Sequence, residues 1–73
     1  MSEVAAIGSA SQVAGFALAG ARVYPAADDD AVRAAWRALP APVAVVILTE
    51  AAAAALGTER AAPTAPLTVV LPR

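Results

Sequence analysis

Apolar residues along this chain fall into short runs that alternate between two periods. Glu3 to Ile7 is an apolar run closed by Gly8, the length and punctuation of a buried strand, although its two alanines are weak strand formers. From Ser9 the period changes. Val13, Phe16, Ala17 and Gly20 fall at helical spacing, so that one apolar stripe faces whatever the helix packs on. Ser9 stands three residues before Gln12, a capping-box spacing in which the hydroxyl and the amide each reach an unpaired backbone N–H of the first turn. Gly20 comes where a left-handed C-terminal cap belongs. Gly15 sits inside the helix, where glycine costs about 1 kcal/mol relative to alanine. In a chain that uses alanine at 23 positions, it predicts close packing of the helix backbone, and Gly15→Val is expected to disturb it.

The alternation continues to the end. Ala21 to Pro25 is a short extended piece ended by proline, the pattern of an edge strand. Asp28, Asp29 and Asp30 precede a second helical stripe of Val32, Ala35, Trp36 and Leu39, with Asp29, Arg33 and Arg37 on the opposite face. Acids belong at a helix start, where a cap and the positive end of the dipole both favour them. The alternative use of these aspartates, a magnesium-holding pocket, would need another carboxylate at the end of the first strand, where Gly8 and Ser9 stand. Pro40-Ala41-Pro42 ends the helix, and Val43 to Leu48 follows as the most strand-like run, apolar on both faces as a central parallel strand is. Thr49 caps a third helix with Glu50 in its first turn, which runs through alanines to Leu56 and stops at Gly57. Thr58 to Pro66 reads as loop, Leu67 to Leu71 as a fourth strand, and Pro72-Arg73 ends the chain.

Strand, helix, strand, helix, strand, helix, strand is the order of a parallel α/β sheet, and residues 1–73 are expected to form a single domain with four parallel strands and three helices. Right-handed crossovers then place the first helix on one face and the other two on the opposite face, with strand order 2-1-3-4. One helix cannot cover one face of four strands. Apolar surface beside the third and fourth strands should therefore be left bare.

Composition changes the picture mainly by exclusion. The chain has 73 residues, five basic and six acidic, and a formal charge of −1, so neither a polyanion nor a polycation is the expected partner, and nucleic acid is not expected as one. It has no cysteine, histidine or lysine, which removes disulfides, thiolate metal sites, Ser-His and Cys-His nucleophile pairs and imidazole acid-base chemistry. The apolar fraction is 60%, but the strongest run, Ala41 to Leu48, is far short of the about 20 residues that span a bilayer. The N-terminus carries Glu3, lacks a basic segment and breaks at Gly8, unlike a signal peptide. A cytoplasmic location is the expectation.

Small α/β sheets bind ligands where the strand order reverses, at the carboxyl ends of the strands. That place holds Gly8, Ser9, Thr49 and Glu50. The chain contains neither G-x-G-x-x-G nor the Gly-Lys-Ser/Thr of a phosphate loop, no base activates Ser9 or Ser11, and Glu50 is a lone carboxylate there. Catalysis and a bound cofactor are therefore not expected.

The residues resemble a family at this point. Gly15-Phe16-Ala17-Leu18-Ala19-Gly20 is similar to the GF-x-LAG signature of the F subunit of the archaeal and bacterial V/A-type rotary ATPases. Ile47-Leu48-Thr49-Glu50 resembles the strand-to-helix ITE segment of that family, and Pro66 to Pro72 resembles its last strand with flanking prolines. The resemblance implies a small Rossmann-like, flavodoxin-like three-layer fold. It also implies a non-catalytic rotor-stalk role and binding to the D subunit, the coiled coil of the stalk, within a complex peripheral to the membrane. Family members usually continue into a C-terminal helix, so this chain looks like a short form, either truncated or compact, whose bare sheet face is covered by something else. Partner contact is expected at Gly15, Phe16, Leu18 and Gly20, at Thr49 and Glu50, and on the fourth strand at Thr68 and Val70. The alternative is a free-standing signalling or small-ligand module of the flavodoxin-like kind, using the switch point around Ser9 and Glu50.

Overall fold

A computed structural model of the chain describes residues 3–40 and 42–72. Ala41 and Arg73, assigned above to the inter-element turn and the chain end, lie outside the described residues. The elements follow in the order β1 (Glu3–Gly8), α1 (Ala10–Leu18), β2 (Arg22–Pro25), α2 (Asp29–Arg37), β3 (Val43–Leu48), α3 (Glu50–Leu56), a 3-10 turn (Gly57–Ala61) and β4 (Leu67–Val70). All strand pairs are parallel, and the sheet order is β2-β1-β3-β4. This is the expected α/β architecture with its three helices; the 3-10 turn replaces the first half of the loop predicted over Thr58 to Pro66.

Two of the helix starts follow from local chemistry. The Asp28 carboxylate accepts a hydrogen bond from Ala31 N at 2.7 Å, and Asp29 and Asp30 occupy the first turn of α2, where the exposed N–H groups and the dipole favour acceptors. Thr49 is buried and its hydroxyl accepts from Ala52 N at 3.2 Å, capping α3. The start of α1 differs from the capping-box expectation. Ser9 is the N-cap residue, but its hydroxyl donates to Gln12 Oε1 at 2.8 Å, and no side chain caps the helix. The two side chains satisfy each other instead of the backbone.

The far end of α1 behaves as the sequence predicts. Gly20 has φ +90°, Gly20 N donates to the Ala17 carbonyl and Ala21 N to the Phe16 carbonyl, both at 3.1 Å. These paired bonds satisfy the last carbonyls of the helix and turn the chain back towards β2.

The main core lies between the sheet and the α2–α3 layer: Ala5, Ile7, Val46 and Leu48 of β1 and β3 meet Val32 of α2 and Ala52, Ala53 and Leu56 of α3. Ala35, Trp36 and Leu39, the rest of the predicted α2 stripe, pack against its edge. The opposite layer is thin. Among the described elements only α1 stands there, packed on β1 and β2; Val13 of α1 and Ala6 of β1 are fully buried.

Candidate functional site

Strand register determines which side chains the thin layer leaves uncovered. In a parallel pair, partnered residues point to the same face and neighbours along a strand to opposite faces. Ala6 pairs with Val23 on one side and Ile47 on the other, and Ile47 pairs with Val69. The next row on that face is Val4, Val45 and Leu67. α1 covers Ala6, but no other described element covers β3 and β4 on this face. Leu67 is 69% exposed, Val69 48% and Val4 39%, while Val45 and Ile47 are half-buried. The expected bare apolar surface is present. β3, central in the sheet, is therefore covered fully on the α2–α3 side only.

Beside this surface runs a groove of about 370 Å³, floored by Val4 and Ile47 and walled by Phe16 and the turn at Gly20. Glu3 and Arg22 close one end; Arg22 Nε donates to Glu3 Oε1 at 3.0 Å. That bond, with the attraction of the carboxylate, pushes the Arg22 guanidinium further above its ordinary range. Among the described residues nothing donates to Glu3 Oε2, which has almost no exposed surface.

The residues expected to touch a partner are scattered by this geometry. Phe16 is half-buried in the groove wall and Gly20 lines the same wall. Leu18 is 95% exposed at the end of α1. Thr68 and Val70 pair with Val46 and Leu48 and so take the α2–α3 face, away from the uncovered surface; Thr68 Oγ1 accepts from Arg60 at 3.4 Å. Thr49 is 2% exposed and occupied in capping. Glu50 is exposed and borders a separate open cleft of about 670 Å³ with Gln12, Leu71 and Pro72, at the carboxyl end of the sheet.

Gly15 requires a correction. It is exposed, and a Cβ built on it meets nothing within 4 Å, so it permits no close approach to the sheet. The packing role belongs to Gly8, whose Cβ would collide with the Thr49 side chain. Periodicity places Gly15 in the helix but does not say which way it faces. Leu67, Val69, Val4 and Ile47 were not singled out from sequence. The signal that could have found them was the alternation Leu-Thr-Val-Val read in register with β3.

Among the described residues no cluster of three or more carboxylates, histidines or cysteines could hold a metal ion, and no described helix is long and apolar enough to cross a membrane.

Comparison with known proteins agrees on the family. The model of the ATP synthase (F/14-kDa) subunit family matches residues 4–72, nearly the whole chain, and the chain belongs to that family. No curated protein matches it.

Proposed function

We propose that this member of the ATP synthase F/14-kDa family is a non-catalytic component of the central rotor stalk of a V/A-type ATPase. It binds the coiled-coil D subunit and transmits torque through protein contact alone. As part of that complex it sits peripheral to the membrane on its cytoplasmic side.

The observation that carries this reading is the half-covered sheet. Parallel sheets are buried on both faces because helices lie on each, and a contiguous apolar surface left in water marks an interaction site. Leu67 and Val69, with Val4 beside them, form such a surface. A helix laid into an apolar groove is a recurrent mode of recognition. The residue inventory agrees with a binding role: without cysteine, histidine or lysine the common nucleophile and acid-base pairs cannot be assembled.

Co-expression with the coiled-coil stalk protein of the same genome, followed by size-exclusion chromatography with light scattering, tests the proposal. A stable one-to-one complex is expected. A folded chain that elutes alone overturns it.

A further inference from the structure

β2 and β4 are the outer strands of the sheet, and each turns a row of backbone N–H and C=O groups away from it. Along a strand these groups point alternately to one side and the other, so a single bond fixes the direction of the whole row. Leu71 N donates to the Leu48 carbonyl at 2.8 Å, which turns Leu67, Val69 and Leu71 towards β3. Pro66, Thr68, Val70 and Pro72 therefore face outward. At the other edge Ala26 N donates to the Gly8 carbonyl at 2.7 Å, which leaves Val23 and Pro25 facing outward.

Proline thus stands at outward positions on both edges, where its missing N–H costs the sheet no bond. On β2 this leaves little to pair with: within Arg22–Pro25 the outward N–H is that of Val23, and Ala21 N, the outward donor before it, is bonded to the Phe16 carbonyl at 3.1 Å. β4 is the more exposed case. Leu67-Thr68-Val69-Val70-Leu71 is an uncharged, β-prone run in which Leu67, Val69 and Val70 are exposed, and such an edge is a template for another strand. Outward residues of two antiparallel edges meet as hydrogen-bonded pairs. With Thr68 opposite Val70 of a second copy, Pro66 stands opposite Pro72 at both ends, and neither supplies a donor. Two of the four outward positions from 66 to 72 add no N–H to the ladder.

We infer that Pro66 and Pro72 close the β4 edge to a second copy of the chain, so that the exposed run between them does not join two sheets into one. Placement carries this, not proline content: Pro63 lies in the loop before β4 and has no such role.

Size-exclusion chromatography with light scattering, run on the full chain over a range of concentrations, tests the inference. Pro66→Thr/Pro72→Thr restores two outward donors and should strengthen self-association at least about tenfold over wild type, while Pro63→Thr should keep the wild-type mass. Pro72→Thr alone, which leaves the loop before β4 intact, should show the same effect more weakly. Adding Val70→Pro to the double variant removes an outward donor again and should return the wild-type mass with the helical signal retained, which separates edge pairing from aggregation of a loosened chain. In the parent chain Val70→Pro should keep the cooperative urea transition of Trp36, whereas Leu71→Pro, which removes the bond to Leu48, should lower its midpoint. Wild-type mass for both the Pro72→Thr and the double variant at every concentration overturns the inference, as does association that survives Val70→Pro. Equal midpoints for Val70→Pro and Leu71→Pro overturn the strand orientation on which it stands.

Discussion

The side chain of Thr49 occupies the space that a side chain on Gly8 would need: a Cβ at Gly8 would lie 2.8 Å from Thr49 Oγ1 and closer still to Cγ2. Gly8 ends β1, and its carbonyl accepts from Ala26 N at 2.7 Å. Thr49 follows β3, and its N–H donates to the Ile7 carbonyl at 3.3 Å. The contact therefore locks the carboxyl ends of the two central strands together and holds the residue that starts α3.

Gly8→Ala is expected to destabilise the fold by about 2 to 3 kcal/mol, the scale of an overpacked core that must also displace a helix cap. In a domain of this size that corresponds to a loss of at least about 10 °C in melting temperature. Urea denaturation followed through Trp36 measures it, and a wild-type midpoint would show that the contact constrains nothing.

The two glycines of the α1 region should respond in opposite directions. Gly15 faces open space within the helix, so Gly15→Ala should stabilise by about 0.5 to 1 kcal/mol. Gly20 has φ +90°, so Gly20→Ala should destabilise by about 1 to 2 kcal/mol even though no atom stands in the way of the new methyl group. Paired melting curves decide this; a destabilised Gly15→Ala would restore the tight packing that the geometry denies.

Capping should be separable from packing at Thr49. Thr49→Val keeps the shape of the side chain but leaves Ala52 N without its acceptor in a buried setting, a loss of about 1 to 2 kcal/mol. Asp28→Ala removes the equivalent bond to Ala31 N in an exposed setting and should cost about 1 kcal/mol. Chemical denaturation measures both, and equal effects would mean that burial adds nothing to the cap.

Surface ion pairs should matter little. Arg33 reaches Asp30 at 3.0 Å within α2, and Asp30 is almost wholly exposed; Arg33→Ala should move stability by no more than about 0.5 kcal/mol. Arg37 reaches Glu59 at 3.2 Å and ties α2 to the 3-10 turn, yet Arg37→Ala should cost less than about 1 kcal/mol for the same reason. Repeating the denaturation in high salt gives the check, since a screened contribution shrinks.

The sequence by itself determined the order and type of the elements, the stops at Gly20 and Gly57 and the caps at Asp28 and Thr49, because each depends on residues within one or two turns of one another. Strand order was also legible, since the handedness of crossovers is a property of L-residues and leaves few arrangements. The bare half of the sheet followed from that order. Tertiary structure decided what lies through space. A shift of one residue in the pairing of β4 with β3 would exchange Leu67 and Val69 for Thr68 and Val70 on the open face, and nothing within β4 itself states the register. Nor does a glycine declare its neighbour: Gly15 and Gly8 differ in role because Thr49, 41 positions beyond Gly8 in the chain, is folded against one of them and not the other.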